Sequence, residues 1–237
     1  MQDLLDIHTH TLASGHAYSS PREMVAAARR KKLALYGMSE HTTLMPGTCH
    51  DFYFANLKVI RPEDDGIELL MGAELNIIDY GGSTDLMQFY LKNLDYAIAS
   101  LHNPCIPPGT AEENTTALIG AMRNPKVCIL GHPDNPAYPV DLERLVRAAK
   151  ENRILLECNN SSYSLNSSRS GSREIGVQML DLCRKHGVPV ILGSDAHIDL
   201  DVGNHDNCME VLAAADFPDS LVVNYDIDFF KSFLPKK

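Results

Sequence analysis

Leu4-Leu5-Asp6-Ile7-His8-Thr9-His10 is the stretch from which the rest of the chain can be read. An apolar run ending in His-x-His has the pattern of a strand whose last residues face a metal. Strand side chains alternate with period two, so His8 and His10 point to one face. Imidazole is the commonest metal ligand, and two on one face make half a site.

Outward from this stretch, apolar, β-branched-rich runs alternate with amphipathic ones. Strands are expected at 3–8, 34–39, 68–74, 95–101, 127–131, 154–158 and 189–193. Several are near-continuous apolar runs, as in a parallel sheet buried on both faces. Helix signals fall between them. Ser20-Pro21-Arg22-Glu23 is a capping box with proline at the first helical position, and Thr110 with Glu113 repeats the signal. Asp141 caps a run with Leu142, Leu145, Val146 and Ala149 at helical spacing, and Ser172 precedes Ile175, Met179, Leu182 and Cys183. Further helices are expected at 207–214 and 226–234. The alternation gives an α/β fold with right-handed crossovers. Seven strands in sequence predict a distorted seven-stranded (β/α) barrel, TIM-barrel-like, with residues 1–237 as one domain. An open doubly wound sheet would carry a Gly-rich phosphate turn after its first strand, and none is present.

The 237 residues are 44% hydrophobic, enough for one substantial core. No apolar run approaches the roughly 20 residues of a membrane span, and no basic start leads into a signal-peptide core. The expectation is a cytoplasmic protein with no membrane partner. A net charge of −10 and a pI near 5.4 argue against a stable nucleic-acid complex, which needs a basic surface. They do not exclude a small anionic substrate, because bound cations reverse local charge. The six cysteines, none in a C-x-x-C pair, read as free buried thiols and none as a metal ligand.

The ends of the expected strands carry the chemistry. In order they are His8 and His10; Ser39-Glu40-His41; Gly72-Ala73-Glu74; Ser100-Leu101-His102; Gly131-His132-Pro133; Asn159-Asn160; and Ser194-Asp195-Ala196-His197. All strand C-termini of a parallel barrel lie on one face, which carries the active site. His16 lies in the loop after the first strand, above the same mouth. Seven of the ten histidines therefore converge there. Of the others, His186 sits at a helix end, where a cation suits the dipole. His50 and His205 are loop residues without strand-end logic.

This ordered set of motifs resembles the polymerase and histidinol phosphatase (PHP) family of metal-dependent phosphoesterases. Ala17-Tyr18-Ser19 and Glu157-Cys158-Asn159-Asn160-Ser161-Ser162 look most like its YcdX-type phosphatase branch. The resemblance implies a trinuclear centre, usually zinc, with manganese or iron also found. It implies that His8, His10, Glu74 and Asp195 hold the first metal. Glu74, His102 and His132 would hold the second, with Glu74 bridging, and His16, His41 and His197 the third. Glu40 departs from the family, where many relatives have Asp before the histidine; it is expected to orient a ligand from behind.

The implied activity is phosphatase: hydrolysis of a phosphomonoester by a metal-bridging hydroxide, with no protein nucleophile. Arg22 and Arg169 are candidates for the phosphate, and Asn159 and Ser161 for the mouth. The expected partner is a small phosphorylated substrate. A nuclease or phosphodiesterase acting on short nucleic acid is the alternative, as is a histidinol-phosphate phosphatase, although those enzymes tend to be longer. An amidohydrolase would carry a bridging lysine, and no strand end has one. A non-catalytic regulatory module would lack ligands, and every ligand position is filled.

Overall fold

The structure, a computed structural model, describes residues 1–60 and 66–236. Seven strands form one sheet in chain order, each parallel to the next: β1 Leu5–Asp6, β2 Leu35–His41, β3 Glu68–Asn76, β4 Ala97–Ser100, β5 Val127–Leu130, β6 Leu155–Asn159 and β7 Val190–Gly193. Each falls where the apolar runs predict it. The helices are α1 Pro21–Arg30, α2 Asp51–Asn56, α3 Gln88–Leu91, α4 Ala111–Ala121, α5 Leu142–Asn152, α6 Ser172–His186, α7 Asp206–Ala214 and α8 Ile227–Lys231. Both capping boxes form, with Ser20 and Thr110 accepting from the amides of Glu23 and Glu113. α2 and α3 are too short to carry a helical period, and nothing in the sequence reading anticipates them. No helix among the described residues is long and apolar enough to cross a membrane.

Two apolar layers make the sheet a barrel. Leu5, Leu35, Leu70, Ile98, Ile129, Leu155 and Ile191, one from each strand, belong to a single buried cluster. Only a barrel interior touches all seven strands. Phe230 of α8 and Val223 join that cluster. Tyr96 also lies in it and donates to the Ile7 carbonyl at 2.5 Å. A Cβ on Gly37 or Gly72 would come within 2.4 Å of the Tyr96 side chain, so both glycines make room for it. The second layer, including Leu118, Leu145, Val146, Met179 and Leu180, lies between the sheet and α4, α5 and α6.

The seam between β7 and β1 has no continuous ladder, only the isolated bridge of Thr9 to Ala196, and β1, paired with β2 at Leu5 and Asp6, is shorter than the expected 3–8. Toward the mouth, the Asp195 amide donates to the His8 carbonyl and the His10 amide to the Ala196 carbonyl, both at 2.9 Å. In the middle, the buried Asp6 carboxylate accepts from the amides of Ser194 at 3.2 Å and Gly203 at 2.8 Å. At the far end Asn224, fully buried, stands in for a peptide unit. Its Oδ1 accepts from the Leu192 amide at 2.7 Å, and its Nδ2 donates to the carbonyls of Leu5 and Leu192 at 3.1 and 3.0 Å. Buried backbone groups must be paired, and a side-chain amide carries both a donor and an acceptor.

His205 is more than a loop residue. It is buried, hydrogen-bonded to Asp3 and 3.7 Å from Asp6. Burial alone would lower its pKa, but the two carboxylates outweigh it and raise it from 6.5 to about 10. His50 caps α2, accepting from the Phe52 amide. His186 ends α6 and pairs with Glu143 at 2.8 Å. The cysteine expectation needs one correction. All six are free, but Cys49 and Cys105, in loops rather than core elements, are only half-buried.

Two stability predictions follow from the seam. Asn224→Ala strands the Leu192 amide and two carbonyls and is expected to cost about 3 kcal/mol in urea unfolding, at ~1 kcal/mol or more per orphaned group. A cost near zero would mean that the seam closes without it. His205→Asn breaks a buried pair and is expected to cost about 3 kcal/mol at pH 6. Because the folded pKa lies above the unfolded one, this stabilisation is complete below about pH 6.5 and fades as pH rises toward 10. A difference from wild type that stays constant between pH 6 and 10 would show that the pair is not ionic.

Candidate metal centre

Nine side chains meet at the C-terminal mouth of the barrel, and Glu74 lies at their middle. β2 and β3 pair with His41 opposite Glu74. Glu74 is fully buried, and five imidazoles surround its two oxygens. His132 Nε2, His102 Nε2 and His8 Nε2 lie 3.0, 3.2 and 3.4 Å from Oε1. His41 Nδ1 and His10 Nε2 lie 2.7 and 3.5 Å from Oε2. The Asp195 Oδ1 atom faces His10 Nε2 at 3.3 Å and His8 Nε2 at 3.6 Å. On the outer side, His16 Nε2 meets His197 Nε2 at 3.1 Å, and the His16 ring stacks on His41 with centroids 5.0 Å apart.

Most of these groups are held from behind, leaving the other atom aimed at the cluster. His8 Nδ1 lies 2.6 Å from Glu157, His10 Nδ1 3.1 Å from Ser14, and His102 Nδ1 2.7 Å from Asn76. Ser14 in turn donates to Glu40 at 2.7 Å, and Glu40 also accepts from the Thr11 amide and hydroxyl. Glu40 thus braces a ligand loop through Ser14, in keeping with the orienting role read from its position. His132 and Asp195 have φ of +32° and +55°. Such backbone costs of order 1–3 kcal/mol per residue and persists only where the surroundings impose it. Here the His132 amide is held by Glu157 at 2.8 Å and the Asp195 amide by the His8 carbonyl.

The charges balance around Glu74. Burial alone would raise its carboxyl, but His102, His41 and His8 hold it well below the usual range. Asp195 is likewise held down, against burial, by His8, His10 and His197, with Arg169 adding to the effect. His10 is pushed far down by burial and by its neighbours His41 and His197, and burial takes His102 down to about 4. Uncharged imidazoles keep lone pairs free for a cation.

The arrangement fits metal ions. His8 Nε2, His10 Nε2, His41 Nδ1, His102 Nε2 and Glu74 Oε2 are buried without a hydrogen-bond partner. The 2.7 Å approach of His41 to Glu74 is close but lacks hydrogen-bond alignment. Buried polar atoms are seldom left unpaired, and these five converge. Three triads, His8-His10-Glu74, His41-Glu74-His102 and His10-His41-His197, each bring their ligand atoms within 4.8 Å of one another. Mixed imidazole and carboxylate donors suit zinc, and also manganese or iron.

The residues expected to meet substrate divide. The Arg169 Nη1 atom lies 2.9 Å from Ser162 Oγ and 3.3 Å from Asp195 Oδ2, at the edge of the cluster. Asn159 is fully buried; its Nδ2 donates to Asp195 and Glu157, both at 3.2 Å. It supports the centre rather than lining the mouth. Ser161 is exposed, while its neighbour Ser162 is buried, its amide and hydroxyl donating to Asn159 Oδ1 and its Oγ accepting from Arg169. Arg22 is exposed in the first turn of α1, with no contact to the cluster. Glu157 was not singled out as a site residue. A carboxylate inside the apolar run Leu155-Leu156-Glu157-Cys158 was the available signal, since such a group is buried only with partners.

Comparison with known proteins agrees with this geometry. The chain is 46% identical over its whole length to a probable phosphatase from Clostridium novyi, covering 96% of that protein. It is 44% identical to a probable phosphatase from Caldicellulosiruptor saccharolyticus, over 97% of this chain and 95% of that one. Its fold matches a histidinol phosphate phosphatase from Lactococcus lactis, solved with zinc, L-histidinol and phosphate, with a TM-score of 0.62. That match covers 91% of this chain and 95% of the other at 18% identity, a likeness of fold. The PHP domain model matches residues 6–161, and the chain belongs to the PHP domain family.

Proposed function

We propose that this phosphatase hydrolyses phosphomonoesters of small phosphorylated compounds at a centre of three divalent cations. The observation that carries the reading is the set of four buried, unpartnered imidazole nitrogens converging on Glu74, whose own Oε2 is also unpartnered. His8, His10, Glu74 and Asp195 would hold one cation, Glu74, His102 and His132 a second, and His16, His41 and His197 a third. His41 stands at the boundary of these sets, close to both Glu74 and His10. Zinc is the first choice of metal, supported by the zinc in the Lactococcus neighbour. Bound divalent cations supply charge stabilisation for a phosphoryl group and acidify water toward neutrality.

The chain's own residues do the rest. Glu74 places one carboxylate oxygen toward His8, His102 and His132 and the other toward His10 and His41. Asn159 and Arg169 hold Asp195 Oδ2, leaving Oδ1 toward His8 and His10. Arg169 brings a fixed positive charge to the edge of an otherwise acidic chain, where a phosphate dianion must enter. A thiolate nucleophile is not available at neutral pH. Burial pushes Cys49 and Cys105 up to about 11 and Cys128 and Cys183 to about 12.

The metal-loaded protein is expected to hydrolyse p-nitrophenyl phosphate well and bis(p-nitrophenyl) phosphate poorly. A screen of phosphorylated metabolites and short oligonucleotides would identify the substrate. Preference for diesters or oligonucleotides would move the assignment to phosphodiesterase, and inertness of the fully loaded protein toward both would remove catalysis altogether. Glu74→Gln is expected to lower kcat on the order of 100-fold or more, with loss of bound metal. Arg169→Met is expected to raise KM for the monoester about tenfold, one charge-assisted contact being worth ~1.5 kcal/mol, with metal content measured alongside because Arg169 also holds Asp195 Oδ2. An unaltered KM would take Arg169 out of phosphate binding.

A further inference from the structure

We infer that Glu157 is a positioning residue that couples two cation sites by holding one ligand of each through a single carboxylate. The inference rests on the three-cation reading given above, in which His8 and His132 serve different cations. Glu157 lies in the middle of β6, fully buried, and is not itself among the clustered ligands. Its Oε1 lies 2.6 Å from His8 Nδ1, and its Oε2 accepts from the His132 backbone amide at 2.8 Å. An ionised carboxylate only accepts, so His8 Nδ1 carries a proton toward Glu157, and Nε2, which faces Glu74 and Asp195, is the ring atom left to meet a cation. At His132 the same carboxylate anchors the amide of a residue held at φ +32°, which sends its ring to Glu74 at 3.0 Å.

A third, independent feature makes room for this group. Gly193 of β7 has no unusual φ, but a Cβ there would lie 2.0 Å from Glu157 Oε1. The glycine is required for space, which is filled chiefly by the carboxylate and at its margin by the His8 Cβ, 3.0 Å from the same point. Asn159 Nδ2 donates to Oε2 at 3.2 Å and to Asp195 Oδ2 at the same distance, which extends the link to a further ligand of the first cation. An amide at position 157 has one acceptor and one donor, so it would satisfy either His8 or His132 and turn an N–H toward the other. A shorter carboxylate would keep the charge and lose the reach.

The test is zinc release from the zinc-loaded protein into excess 4-(2-pyridylazo)resorcinol, followed by stopped flow. In Glu157→Gln two of three cations are expected to leave about 10–100-fold faster than in wild type. The third, assigned to His16, His41 and His197, keeps its rate. Gly193→Ala retains every ligand and the glutamate itself; its Cβ displaces the carboxylate and also presses on the His8 Cβ, so faster loss of the cation assigned to His132 is the readout that reports on Glu157. It carries the test if Glu157→Gln does not fold, as judged by circular dichroism. Glu157→Asp is expected to recover part of the retention. Acceleration of one cation alone would overturn the coupling and leave Glu157 a support for His8. No acceleration in either variant would overturn any positioning role. In the wild-type holoenzyme a downfield, exchange-protected imidazole Nδ1–H resonance is expected for His8, and its absence would count against the arrangement independently. Release of fewer than three zinc ions from wild type would fail the three-cation reading instead, with the effect of Glu157 still measurable on those released.

Discussion

A fully buried carboxylate, with five imidazole nitrogens within 3.5 Å, is the constraint around which this molecule is organised. Glu74 cannot be buried as an isolated charge, since desolvation would cost several kcal/mol. Nor can five crowded imidazoles all be protonated. Burial, joined by neighbouring histidines at His10 and His102 and by Arg169 at His132, lowers those three, whereas Glu157, Glu74 and Asp195 raise His8 against burial. The donor set that results is complementary to divalent cations, and those cations would supply the positive charge that Glu74 and Asp195 need.

The scaffold serves that convergence. A parallel barrel delivers one strand end after another to a single mouth, so ligands separated by more than a hundred residues meet within a few ångströms. The weak point is the seam between β7 and β1, and both flanks of it carry ligands. His8 and His10 follow β1, and Asp195 and His197 follow β7. Where the backbone ladder is missing, Asn224, Asp6 and the His205 pair hold the strands together. Closing the seam and positioning the first ligand set are therefore parts of one task. The His8 carbonyl, which accepts from the Asp195 amide, belongs to both.

Much of this was legible in the sequence, for reasons that differ by element. The seven strands show as apolar runs because both faces of a parallel sheet are buried. α1, α4 and α5 announce themselves through Ser20, Thr110 and Asp141, whose caps are local hydrogen bonds. The His-x-His and Asp-x-His spacings survive folding because strand alternation is rigid. Asn224 was not legible, because its role depends on a gap in the ladder between Leu5 and Leu192, 219 and 32 residues upstream. The contact of Ser162 with Arg169 was not legible, because it depends on a turn built by the Asn159 side chain. Arg22 sits near His16 in sequence, but the capping box commits its helix turn to the surface. Glu157 was visible only as a charge where a charge should not be, and its partners lie just after β1, on the loop after β5 and on β7.

The central claim is that the cluster around Glu74 is a three-cation centre. X-ray diffraction from crystals of the zinc-loaded protein, recorded on both sides of the zinc absorption edge, tests it most directly. The account expects three anomalous peaks at the mouth of the barrel, two of them within bonding distance of the Glu74 carboxylate and the third beside His16 and His197. A single peak, or peaks that leave Glu74 without a cation, would contradict it.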